Sequence, residues 1–245
     1  MASKSKKTEI KEKKESKDIR DTLVIKELKC KTEKQKELVK SIRKKEVTIC
    51  SGSAGTGKTF VTLNTALRLL KEGYKKVILC KSVTSVPEEE IGFLKGSVEQ
   101  KMEPFIMSYV GNMNKMLPQG MAEKLFAEKV VEVLPLAYIR GLSIDDSVII
   151  LDECQNITMN IFKSVITRIG EHSKMIFLGD CEQVDLKSDK RRQSSALQYI
   201  TKIFSGEDYV GVIEFGPDDC VRNPIIPKVL DKLRDFESKN STLQP

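Results

Sequence analysis

Gly52-Ser53-Ala54-Gly55-Thr56-Gly57-Lys58-Thr59 has the spacing G-x-x-x-x-G-K-T, that of a loop built to cradle phosphate. On its N-terminal side Val47, Thr48, Ile49 and Cys50 form a short β-branched run of the kind buried in a sheet. On its C-terminal side Phe60 to Leu70 carries apolar residues at helical spacing, with a stop signal at Gly73. A glycine-rich loop between strand and helix turns backbone N–H groups toward an anion, and the helix N-terminus adds partial positive charge. Lys58 is then placed to reach the β and γ phosphates of a nucleotide, and the Thr59 hydroxyl to ligate magnesium. Upstream, the run TEKQKELVKSIRK has an N-cap in Thr32 and apolar Leu38, Val39 and Ile42 at helical spacing. Gln35 on that helix is either a solvated surface residue or an amide pairing with the donor and acceptor edges of adenine.

Downstream, Lys76 to Cys80 reads as a second strand at the distance expected of a strand-helix-strand unit with parallel strands. Lys81, Ser82 and Thr84 follow at its C-terminal end, the edge where doubly wound sheets bind ligands. A long connection comes next, with a helical insertion expected at about residues 85–128 whose methionines fill a small helical core. Val130 to Leu134 is a third strand. Val148 to Leu151 then delivers Asp152 and Glu153 to the tip of a buried strand. Adjacent carboxylates there need a cation, and magnesium supplies one: Asp152 holds it through water while Glu153 orients or deprotonates an attacking water. A helix from Thr158 to Ile169, a strand from Lys174 to Leu178 ending in GDCEQVDL, a helix from Ser194 to Phe204 and a strand from Tyr209 to Phe215 complete the pattern. Gln183 thereby reaches the same edge, either toward the γ-phosphate or as part of a polar turn with an Asx cap. Arg222 precedes Pro224 and a final amphipathic helix; an arginine at a helix start opposes the helix dipole, so it has another use.

A chain of 245 residues, 40% hydrophobic, can bury a full core and fits a single α/β domain over residues 21–245. No apolar run is long enough for a membrane span and the N-terminus is charged rather than signal-like, so a cytoplasmic protein is expected. The six cysteines contain no C-x-x-C pair and His172 is the sole histidine, which argues against a zinc site and for small buried fillers. Residues 1–45 hold 17 Lys/Arg against 8 Asp/Glu, leaving 25 against 27 for the rest. The basicity therefore belongs to the N-terminal region. Residues 1–20 are expected to be a disordered basic arm, either a binder of nucleic-acid phosphates or a solubilising tail.

With these residues in view, the chain resembles the PhoH family of phosphate-starvation ATPases of bacteria and their phages. The likeness runs from about Gln35 to Leu233 and is close in GSAGTGKT, IGFLKGSVEQKMEPF, LAYIRG, IILDECQN, TRIGEHSKMIFLGDCEQVDL and VRNP. It implies a RecA-like P-loop core with a mostly parallel sheet, related to superfamily 1 helicases, that hydrolyses ATP with Mg2+ and engages RNA or single-stranded DNA. It also implies that Gln35 reads adenine and that Lys58 and Thr59 take the phosphates and magnesium. Asp152 and Glu153 would serve metal and water, Gln183 the γ-phosphate and Arg222 the transition-state charge. Departures from the family pattern are Lys81-Ser82 for Arg-Pro, Cys154 for Ala, Leu142 for a second arginine and Asn223 for His. A small-molecule kinase shares the P-loop, but the near-neutral core and the Asp-Glu-x-Gln strand point away from it. A binding module with little turnover is disfavoured by Glu153. After Phe215 only thirty residues remain, too few for a second RecA-like domain to supply Arg222. A homo-oligomeric ring such as a hexamer, in which Arg222 reaches the next subunit's nucleotide, is therefore the expected assembly.

Overall fold

The computed structural model describes residues 18–81, 98–139, 141–181 and 195–222, with Ile225, Lys228, Val229, Lys232 and Phe236 beyond them. Six strands, β1 (Val47–Gly52), β2 (Lys76–Lys81), β3 (Val131–Pro135), β4 (Ser147–Asp152), β5 (Lys174–Gly179) and β6 (Val210–Phe215), form one sheet in the order β3-β2-β4-β5-β1-β6. Every neighbouring pair is parallel. All six C-terminal ends therefore lie along one edge, the edge at which such sheets bind ligands.

Alternation along the inner strands divides the core in two, since successive strand residues face opposite sides. Val77, Leu79, Val148, Ile150, Ile176 and Leu178 face one core. Ile78, Cys80, Ile149, Leu151, Met175 and Phe177 face the other. The first core is covered by α1 (Glu33–Lys44), α2 (Lys58–Leu70), α3 (Val98–Met113) and α4 (Met121–Ala127), and the second by α5 (Met159–Ile166) and α6 (Ala196–Ile203). Thr32, Thr158 and Ser195 cap α1, α5 and α6 by accepting bonds from the backbone N–H groups of Gln35, Ile161 and Leu197.

The structure departs from expectation in three places. The helix expected to reach Ile169 stops at Ile166, because Ile169 leaves it to bridge Ile144 and the Gly170 N–H donates to Ile144 O at 2.9 Å. The methionines of the insertion build no core of their own: Met113 and Met116 are buried in the core that α1 and α2 share with the sheet, and Met107 is exposed. The expected arm lies outside the described residues except for Asp18 to Arg20, which belong to the folded body. Ile19 is buried with Leu23 in the first core, so apolar anchoring begins inside the stretch that composition assigned to the arm. Residues 85–97 of the insertion also fall outside the described residues.

Candidate nucleotide site

The loop between β1 and α2 closes around its own lysine. Lys58 Nζ donates to Gly52 O at 2.6 Å and to Ser53 O at 2.8 Å, while Thr56 Oγ1 donates to Ser53 O at 3.1 Å. The ammonium group is thus held where the half-buried Ser53, Ala54 and Gly55 curve over it. Gly57 has φ 84°, a conformation natural to glycine, and a Cβ there would sit 2.9 Å from Gln35 Nε2. Gln35 itself is buried at 3% exposure, which excludes the solvated alternative. Its Nε2 donates to Thr56 O at 2.9 Å and its Oε1 accepts from the Lys31 N–H at 2.8 Å. Each edge of the amide expected to read adenine thus already makes one bond to the chain's own backbone, and Gln35 also lines the cleft described below. A buried amide needs partners on both edges, and here it pins the phosphate loop to α1.

Opposite the loop, the apolar run of β4 carries Asp152 to the sheet edge, in register with Lys81 of β2. Thr59 Oγ1 donates to Asp152 Oδ2 at 3.2 Å, and the Glu153 N–H donates to Asp152 Oδ1 at 3.1 Å. Burial, and then the neighbouring charge of Glu153, push the Asp152 carboxyl above its ordinary pKa; Lys81 and the Thr59 hydroxyl oppose the shift. A hydroxyl and a carboxylate oxygen that meet beside the phosphate loop form the kind of oxygen donor pair that magnesium takes, so the residues present fit the ion that the fold implies.

Glu153 leaves β4 with φ 59°, one of four non-glycine residues at positive φ among the described residues. That left-handed turn, costly for a side chain, carries Glu153 off the strand axis. Gln155 then holds it. Gln155 is 2% exposed; its Nε2 donates to Glu153 Oε2 at 2.8 Å and its Oε1 accepts from the Asp180 N–H at 3.1 Å. One amide thus ties the β4 carboxylate to the end of β5, the strand between β4 and β1.

These groups face a cleft of about 590 Å³. Arg222 lines it from the subunit's own C-terminal region: the Val221 N–H donates to Gly55 O at 3.0 Å, and a Cβ on Gly55, at φ 89°, would lie 3.1 Å from Arg222 Cδ. The arginine expected at a neighbour's site is packed against its own phosphate loop. The reason is the edge strand β6, which lies beside β1 and returns the chain to the loop.

Lys58, Thr59, Asp152, Glu153, Arg222 and Gln35 are thus brought to one place, whereas Gln183 lies outside the described residues, as do Ser82, Thr84, Arg140 and Asn223. Sequence reasoning assigned no role to Gln155, although Asp-Glu-x-Gln was in view. It also left unassigned Leu28, Lys29 and Lys31 of the segment before α1, and Phe105, Ser108, Tyr109 and Asn112, which also line the cleft. The last four recur at i, i+3, i+4 and i+7, a one-faced helical pattern that was legible as periodicity but not as a cleft wall. Lys81 Nζ stands 5.5 Å from the Phe105 ring centroid and joins this wall to β2. Among the described residues no helix is long and apolar enough to cross a membrane, and no disulfide forms; Cys50, Cys80 and Cys154 are buried in the cores, whereas Cys30, Cys181 and Cys220 are only half-buried, so buried filling accounts for three of the six.

A parallel sheet with β5 inserted between the loop strand and the acid strand, and a threonine hydroxyl meeting the aspartate across it, defines a P-loop nucleoside triphosphatase fold of the RecA-like kind. Within that class, a family model described as PhoH-like protein matches residues 27–234, and the chain belongs to that family. The PhoH-like protein of Bacillus subtilis (strain 168) is 34% identical over 207 residues, covering 84% of this chain and 64% of that protein. That of Synechocystis is 33% identical over 219 residues, covering 89% of this chain and 65% of that protein. Protein PhoH of Escherichia coli (strain K12) is 31% identical over 218 residues, covering 88% and 60%. The chain therefore spans less than two thirds of the length of these relatives. Among solved structures, the large terminase of a thermophilic bacteriophage superposes with a TM-score of 0.48 at 13% identity, over 81% of this chain and 49% of that one.

Proposed function

We propose that this chain is a magnesium-dependent ATPase of the cytoplasm whose turnover is coupled to RNA or single-stranded DNA. The observation that supports it most directly is the 3.2 Å contact of Thr59 with Asp152, which brings the phosphate loop and the Glu153 carboxylate to one point. Phosphoryl transfer to water needs positioned charge more than covalent chemistry, and each part of the cleft has such a task. The loop N–H groups and Lys58 bind the phosphates. Thr59 and Asp152 would hold magnesium, which would supply neutralising charge on the phosphate oxygens. Glu153, held by Gln155, orients a water and takes its proton. Arg222 meets the developing charge within its own subunit, and Gln183 contacts the γ-phosphate. Coupling to a polyanion rests on Lys29, Lys31 and Lys115, exposed on the cleft wall, together with the basic N-terminal region.

ATP turnover measured with and without RNA and single-stranded DNA tests the reading as a whole. The polymer is expected to raise the rate; no response to either removes the nucleic-acid part. Lys58→Ala is expected to lose ATP binding, and Glu153→Gln to keep it while turnover falls about a hundredfold or more. A Glu153→Gln protein that hydrolyses ATP at the parent rate would overturn the role given to that carboxylate.

A further inference from the structure

Tyr109 is anomalous among the residues that line the cleft. It sits on α3, whose stripe of Phe105, Ser108, Tyr109 and Asn112 forms one wall of the nucleotide site. The residue is 3% exposed and belongs to the apolar core shared with α2 and the sheet, yet its hydroxyl has no hydrogen-bond partner. A buried hydroxyl left unpaired costs stability, and phenylalanine would fill the same apolar space without that cost. The place of the side chain gives the reason for keeping the hydroxyl. Tyr109 shares the cleft with Thr59, Lys81, Asp152 and Glu153, and the two carboxylates act on it electrostatically. A phenol keeps its proton throughout the neutral range, so the Tyr109 O–H can act as a donor.

We infer that the Tyr109 hydroxyl is a ligand-binding donor, held in reserve for an anionic oxygen at the γ-phosphate end of a bound nucleoside triphosphate. This rests on the nucleotide reading above and extends it to a helix that sequence motifs did not connect with the site. The terminal phosphate is the ligand group that belongs beside Glu153, since the water this carboxylate serves must attack there. Oxygens of a diphosphate stop short, at the loop and Lys58. Tyr109 thereby makes α3 responsive to whether the nucleotide is a triphosphate or a diphosphate, with the bond forming in one state and missing in the other.

Tyr109→Phe tests this, with Mg2+ plus a non-hydrolysable ATP analogue, and Mg2+ plus ADP, as the two probes. Without nucleotide the variant should melt no lower than the parent protein, because only an unpaired hydroxyl is lost. Its affinity for the triphosphate analogue should fall about tenfold, the worth of one hydrogen bond to a charged oxygen, with ADP affinity unchanged. The turnover rate should fall in the same direction. A variant that melts lower without nucleotide would show that the hydroxyl has a structural partner, and equal loss toward both nucleotides would place it away from the γ-phosphate; either result overturns the inference. So does unaltered affinity for both. If the parent protein binds neither probe, the nucleotide reading itself fails, whereas parent binding that Tyr109→Phe matches removes the role of Tyr109 alone.

Discussion

Asp152 stands where stability and chemistry pull against each other. Burial and Glu153 raise its pKa in the folded protein above the ordinary 3.8. A carboxyl that holds its proton more tightly when folded costs stability at every pH above its folded pKa, and the cost disappears below the unfolded one. Asp152→Asn should therefore raise the melting temperature at pH 7 without nucleotide, and the gain should shrink as pH falls toward 3.8. Thermal unfolding across that range checks the sign, and a variant that melts lower at pH 7 would show that the charge is already compensated. With Mg2+ and ATP present the ranking should reverse, because the amide loses the ion that repays the carboxylate. Gln155 shows what a residue-level reading misses: its place beside Asp-Glu was visible, but its two partners lie just past the ends of β4 and β5, which only folding brings together.

At the scale of elements, the segment before α1 changes most between sequence and structure. It has no regular secondary structure, so periodicity could not find it, yet it straps the first core. Leu23 is 1% exposed, Lys71 Nζ donates to Leu23 O at 2.9 Å, and the Lys26 N–H donates to Met116 O at 2.8 Å. Asn64 Nδ2 and Arg68 Nη2 on α2 both donate to Lys26 O. The strap then passes Leu28, Lys29 and Lys31 along the cleft before Gln35 meets the phosphate loop. Leu23→Ala should destabilise the fold by about 2–5 kcal/mol, the range for a buried leucine whose cavity cannot collapse, and should weaken nucleotide binding as well. Urea unfolding gives the first quantity and nucleotide titration of the folded variant the second. A loss well under 1 kcal/mol would mean that the strap rests on the core without supporting it.

For the whole molecule, the strand order matters more than any strand. Because β6 pairs with β1 on the far side from β5, the chain after Phe215 comes back to the phosphate loop, and Arg222 packs on Gly55 of the same subunit. An arginine so placed makes a prediction about assembly. When Lys58→Ala and Arg222→Ala proteins are mixed, activity should stay at the level of the separate variants, because each cleft draws both groups from one chain. Recovered activity in mixed oligomers would place the working arginine on a neighbour. Loss of Arg222 alone should lower turnover about a thousandfold or more if it meets transition-state charge.

The composition and spacing of this chain were enough to determine the local physics of the site. Glycines that must adopt positive φ, a lysine and a threonine at the start of a helix, and an apolar strand ending in two carboxylates are short-range patterns. Each arose within a few residues of its own backbone, so the fold class and the motif residues were legible. The tertiary structure decided what each motif faces. Gln35, on the cleft, also anchors the loop, because both its edges found backbone partners 4 and 21 residues away. Arg222 joined its own cleft through the position of an edge strand, and Tyr109 came to line the same cleft as the carboxylates through the packing of an inserted helix. Those contacts depend on strand order and on helix docking, which come from burying apolar surface over the whole chain, a sum that no short stretch contains.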